Sequence, residues 1–179
     1  AQDLPRLDRD WITYADRELQ FANVLAEIGG KFYRVASPAE ANQQLSEIPV
    51  YRDAKKIVSL ATGIGESNVD YAAITDPHEL EPIDFAILPG EFAVAENAAI
   101  WVTDRNLPLR AIYFIVQHLA LVVPASEIVD NMHQAYERLK FDRPEFGAFI
   151  AGPSKTADIE QSLVIGAHGP RSLTVFCVG

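Results

Sequence analysis

The chain has a single cysteine, a single methionine and two tryptophans in 179 residues. Cys177 cannot form an internal disulfide, and one thiolate cannot hold an iron–sulfur cluster, which ordinarily takes four ligands. No cofactor is therefore expected on this chain, and any redox chemistry tied to it must be carried by other proteins. Long apolar runs are missing as well: the longest, Ala111–Val116 and Leu119–Pro124, fall far short of the roughly 20 residues that span a bilayer. Basic charge is scarce, with 15 Lys and Arg against 25 Asp and Glu, a formal net charge of −10. That field repels phosphate backbones and anionic lipids, so no nucleic-acid partner is expected. The opening Ala1-Gln-Asp-Leu-Pro-Arg-Leu-Asp8 has neither the basic nor the apolar region of a secretory signal, and a cytoplasmic location is the expectation. The four histidines, His78, His118, His133 and His168, show no zinc-type spacing, so no metal site is assigned.

What is present is an ordinary globular composition, 49% hydrophobic and 22% charged, in a chain long enough for one sizeable core. Apolar residues from Asp10 to Ile28 keep a helical period that Gly29-Gly30 ends. Ser37-Pro38-Ala39-Glu40 supplies a cap, a first-turn proline and a capping-box acid for a second helix reaching about Ile48. Downstream, Ile57–Ala61, Phe85–Leu88, Ile100–Thr103, Leu119–Val123, Phe146–Ala151 and Leu173–Val178 read as strands. Several are apolar at consecutive positions, which suits parallel strands covered on both faces. Ile128 to Leu139 keeps a helical period, with Ser126 as cap, and Asp142-Arg143-Pro144-Glu145 is polar punctuation. The pattern predicts a three-layer α/β/α sandwich, with residues 1–50 an N-terminal helical segment packing on an α/β domain over 51–179, a single domain overall.

Chemistry-bearing residues crowd into Ala151-Gly152-Pro153-Ser154-Lys155-Thr156-Ala157-Asp158-Ile159-Glu160-Gln161. Following an apolar strand, with Ile159, Leu163 and Val164 on one helical face, this stretch reads as strand, tight loop and helix start, the helix running from about Thr156 to Ile165 and ending at Gly166. It would cross between Phe146–Ala151 and Leu173–Val178 as neighbouring strands of a βαβ unit. A well-capped helix accounts for much of it; free amides at such a helix start also suit a carboxylate or phosphate.

The run Gly152 to Glu160, continued by Leu163, Gly166, His168, Gly169 and Pro170, resembles the signature of the lactate utilization (LUD) domain family, especially its protein C branch. The likeness is strongest over those positions and extends more loosely from Asp84 onward. It implies a fold similar to the sugar-phosphate isomerase and CoA-transferase group. It also implies a part in bacterial L-lactate oxidation to pyruvate beside iron–sulfur subunits, the clusters residing in those partners. A small-anion pocket is expected at these residues: Lys155 pairs a small carboxylate or phosphate, Ser154 and Thr156 donate hydrogen bonds beside Gly152, Asp158 orients them, and Glu96 or His168, the two that the resemblance singles out, moves a proton. Where the family pattern has Ala-Glu-Thr-Gly-Ser/Thr, this chain has Ala95-Glu96-Asn97-Ala98-Ala99, keeping the acid and losing the glycine and hydroxyl.

Other candidates carry less. Ser59 to Asn68 holds Gly63 and Gly65 but lacks a complete dinucleotide fingerprint and reads as a surface loop. Asp84 and Glu91 are acids beside strands, and in so acidic a chain solvation is their default; His118 reads as structural. Whether the chain is itself catalytic stays open between a lactate-oxidation component, a non-catalytic assembly or regulatory subunit, and an unassigned acyl or phosphosugar enzyme, the last by fold analogy alone. Small α/β domains often form homo-oligomers, but no residue pattern specifies an interface.

Overall fold

A computed structural model describes residues 10–105, 107–139, 146–157, 163–166 and 169–179. In chain order the elements are α1 (Arg17–Glu27), β1 (Lys31–Val35), α2 (Pro38–Glu47), α3 (Pro49–Arg52), β2 (Ile57–Ser59), β3 (Phe85–Pro89), β4 (Phe92–Val94), β5 (Ala99–Thr103), α4 (Ile112–Ile115), β6 (His118–Pro124), β7 (Ile128–Val129), α5 (Met132–Arg138), β8 (Gly147–Ile150), β9 (Lys155–Ala157), β10 (Leu163–Ile165) and β11 (Ser172–Val178). The central sheet, ordered β1-β11-β6-β3-β2, is parallel throughout. A second sheet, β7-β4-β5-β8, is mixed.

Pleating explains why the central strands are apolar at consecutive positions, since alternate side chains enter different cores. Phe85, Ile87, Ala120 and Phe176 face α2 and pack with Ala41 and Leu45. Ala86, Leu88, Leu119, Leu121, Leu173 and Val175 face the other way, toward α1 and the second sheet, and pack with Phe21, Leu25 and Ile100. The far side of the second sheet buries Phe92, Val94 and Val129 against Ala135 of α5. The result is an α/β sandwich around a parallel sheet, in which one covering layer combines a helix with the smaller sheet. All six segments expected as strands are strands.

The second helix starts as its sequence dictates: the Ser37 hydroxyl accepts from the Glu40 amide at 3.3 Å and the Glu40 carboxylate accepts from the Ala36 amide at 2.7 Å. Three expectations need correction. The first helix begins at Arg17, with Asp16 as its cap, because Tyr14 and Ile12 are drawn into hydrogen bonds with Asp130 and Asn131. The segment from Ile128 begins as strand β7, and the helix starts only at Met132, capped by Asn131 rather than Ser126.

The largest correction concerns the region after β8. No helix starts at Thr156: Lys155–Ala157 and Leu163–Ile165 pair antiparallel as a hairpin, and Gly166 ends a strand. The flanking strands are not neighbours either, since β8 pairs with β5 in the second sheet and β11 lies between β1 and β6 in the first. Among the described residues this stretch holds no helix, so it supplies no crossover helix between neighbouring strands and no helix dipole at the loop. The polar stretch Asp142–Glu145 lies outside the described residues.

Candidate functional site

Gly152 adopts φ +74°, and a side chain there would come within 3.1 Å of the Ile28 carbonyl oxygen and Cγ1. Only glycine combines that left-handed backbone with so close an approach to the end of α1. Beyond it the Ser154 amide donates to the Pro170 carbonyl at 2.9 Å, and the Ser154 carbonyl accepts from the Gly166 amide at 2.9 Å. Gly169 passes so near that a Cβ would meet Ser154 Cβ at 2.9 Å. Three of the signature glycines thus hold one knot of backbone: Gly152 on α1, Gly166 at the exit of the hairpin, and Gly169 against Ser154.

A cavity of about 300 Å³ opens at this knot. Its walls include Leu119, Phe149 and Leu173, Phe114 lies half-exposed on its lining, and Gly152, Ser154 and Lys155 supply the polar side. Tyr113 adds a ring whose hydroxyl donates to the Thr103 carbonyl at 3.1 Å, and burial raises that phenol well above its usual range. Among the described residues, neither the Ser154 hydroxyl nor the Lys155 ammonium has a side-chain hydrogen bond or ion pair. The cavity lies where β8 ends but where β6 and β11 begin, so it is not at the carboxyl edge of the central sheet, where doubly wound folds ordinarily collect ligands.

The expected site residues therefore divide. Gly152, Ser154 and Lys155 come together on the cavity. Thr156 sits beyond them in β9, opposite Val164. Glu96 does not join them: its carboxylate accepts from the Met132 amide at 2.9 Å, satisfying an otherwise free donor at the start of α5. Asp158 and His168 lie outside the described residues. The turn containing Glu96 accounts for the glycine of the family pattern, because Ala98 at that position has φ +54°, the one positive value at a described non-glycine residue. The geometry that glycine would adopt freely is kept here by a buried alanine.

Asp84, Glu91, His118 and His133 have structural partners. Asp84 accepts from the Lys55 and Lys56 amides at 2.8 and 2.9 Å, and Glu91 accepts from the Thr103 hydroxyl at 2.9 Å. His118 hydrogen-bonds through Nδ1 to Ser172 at 2.8 Å; burial, then the Arg171 charge, lowers its pKa. His133 stacks on Trp11. The Ser59–Asn68 loop is bonded to itself, with the Ser59 hydroxyl donating to the Ile64 carbonyl. Among the described residues no three His, Cys, Asp or Glu side chains gather as a metal-ligating group, and no helix is long and apolar enough to cross a membrane.

Residues 19–178 match the LUD domain model. The chain belongs to the LUD domain family. Among its relatives, Lactate utilization protein C of Geobacillus thermodenitrificans (strain NG80-2) is 34% identical over 116 residues, 61% of this chain and 45% of that protein. Lactate utilization protein C of Geobacillus sp. (strain WCH70) is 31% identical over 120 residues, 64% and 46% of the two chains. The chain thus spans about half the length of the curated relatives it matches. A crystal structure of a DUF162 family protein from Deinococcus radiodurans superposes with a TM-score of 0.67 at 19% identity, covering 94% of this chain and all of that one, and supports the fold.

Sequence reasoning missed two buried polar residues, Asp130 and Asn131. Asp130 accepts from the Tyr14 amide at 2.9 Å and lies 2.7 Å from the Arg17 guanidinium, and the Asn131 side chain donates to the Ile12 carbonyl at 2.8 Å. They pin the N-terminal strap to the second sheet. The only local signal was the Asn131 cap, since their partners lie more than a hundred residues away in the chain.

Proposed function

We propose that this chain is a component of a bacterial L-lactate utilization system, acting with iron–sulfur proteins in the oxidation of L-lactate to pyruvate. The observation that carries this reading is the family match over residues 19–178, together with relatives whose names place them in lactate utilization. Gly152, Ser154 and Lys155 form its anion-binding side: the glycine brings backbone close, the hydroxyl donates and the ammonium pairs a carboxylate or phosphate. Asp158 is assigned to orient these groups from its place in the sequence, and His168 to move a proton on the resemblance alone. The test is pyruvate formation from L-lactate by the iron–sulfur proteins of an L-lactate utilization system, measured with and without this chain. Loss of turnover on omission supports the reading; unchanged turnover contradicts it.

A second reading, a non-catalytic assembly subunit, is favoured by the occupation of Glu96. Glu96→Gln keeps an acceptor for the Met132 amide but cannot take up a proton. If Glu96 only secures α5, this variant leaves lactate turnover intact and Glu96→Ala lowers stability by about 1 kcal/mol. If Glu96 transfers a proton, Glu96→Gln abolishes turnover with stability unchanged.

A further inference from the structure

We propose that the cavity beside Ser154 and Lys155 takes an amphipathic monocarboxylate, its head group on Lys155 and an aliphatic or aryl body against Phe114, Phe149 and Ile150. This deepens the anion-binding reading above and rests on it. The first ground is size. The cavity measures about 300 Å³, room for roughly ten waters at about 30 Å³ each, whereas lactate or pyruvate has only about six heavy atoms. A small anion would leave the accessible rings of Phe114 and Phe149 facing water.

The second ground is the lining. Leu119 and Leu173, each 1% exposed, close off its floor, and the apolar side chains left accessible are Phe114, Phe149 and Ile150. The apolar character continues outward, because Phe114 is 40% exposed on the cavity and Ile165 is 51% exposed directly opposite Lys155 in the hairpin register. Exposed apolar side chains next to a cavity and a cation describe a site with an apolar wall and a charged rim.

The third ground is magnitude. Lys155 is exposed, and one exposed ion pair strengthens binding by at most about fivefold. The net charge of −10 opposes any anion at long range. Each methylene moved from water onto apolar walls gains about fourfold, so four of them give about two hundredfold. The body of the ligand therefore decides affinity, and the carboxylate decides orientation.

The test is a straight-chain series of acetate, butyrate, hexanoate and octanoate below its micelle concentration, titrated into the full chain with L-lactate, phosphate and hexanol as controls. Calorimetry gives affinity and amide NMR shifts give location. Kd should fall about fourfold per methylene as far as hexanoate, with shifts at residues 150–155 and 173. Lys155→Gln should weaken hexanoate about threefold to fivefold and leave hexanol unchanged. Phe114→Ala, at a half-exposed ring, should also weaken hexanoate. A flat series overturns the proposal, as does hexanol binding as well as hexanoate. If lactate or phosphate shifts the amides of residues 152–155 in a Lys155-dependent way without a gain from chain length, the anion site stands and the amphipathic ligand falls. If none of these probes shifts those amides, both fall.

Discussion

Removing the Asp130 carboxylate should loosen the N-terminal strap, and the cost can be worked from its contacts. Asp130 is 0% exposed, although the strap that covers it is at the molecular surface. Asp130→Ala leaves the Tyr14 amide without its acceptor, costing about 1–3 kcal/mol for a buried donor. The Arg17 side chain is 51% exposed and regains water, so its share is discounted to about 1 kcal/mol or less. The sum is about 1–4 kcal/mol, or a fall in Tm of roughly 2–16 °C for a domain of this size. Asp130→Asn keeps an acceptor for Tyr14 and should lose only about 1 kcal/mol. Burial alone would raise the Asp130 pKa, but hydrogen bonds from Arg17 and the Tyr14 amide outweigh it and hold it below the usual value. A carboxylate depressed in the folded state contributes its stability in full above the unfolded pKa of about 3.9 and loses it as pH falls through the lower folded value. The stability gap between wild type and Asp130→Asn should accordingly be constant from pH 6 to 8 and close below about pH 4. Denaturant unfolding of both variants across pH checks this. Asp130→Ala within about 0.5 kcal/mol of wild type, or a gap that widens in acid, would refute the reasoning.

Ala98→Gly relieves a left-handed penalty of about 1–2 kcal/mol but adds chain entropy and removes a buried methyl, so its net effect should lie within about 1 kcal/mol of zero, whereas Ala98→Val should cost more than about 2 kcal/mol. Equal stability of the two variants in thermal melts would count against the turn geometry. Gly152→Ala meets both a positive φ and the Ile28 carbonyl, and should destabilise by about 2 kcal/mol or more. Burial pushes the Cys177 thiol up to about 11, so at pH 8 it should resist iodoacetamide until the chain unfolds. Rapid labelling of the native protein would contradict its burial.

The parallel sheet was legible because strands covered on both faces must be apolar at consecutive positions, and Phe85–Leu88, Leu119–Val123 and Leu173–Val178 have no other economical reading. The hairpin was not. Ser154, Thr156, Asp158 and Glu160 resemble a capped helix start, and Ile159, Leu163 and Val164 fall at helical spacing; yet Thr156, Val164 and Ile165 are β-branched, and the pairing of β9 with β10 follows that preference. The same competition hid β7, where Ile128 and Val129 serve a strand while fitting the period of the helix that follows. Half of the candidate site was legible for a reason that proved different from the one inferred. Gly152 and Ser154 do lie on a cavity, but tight backbone packing places them there rather than a helix terminus. The occupation of Glu96 by the Met132 amide could not be read locally, because a carboxylate carries no mark of a partner 36 residues away.

The proposed role in lactate utilization is tested most directly by deleting the gene for this chain in its native host and comparing growth on L-lactate with growth on pyruvate. The account predicts that growth on L-lactate is lost, that growth on pyruvate is kept, and that the wild-type gene restores the former. Undiminished growth on L-lactate as sole carbon source would contradict it.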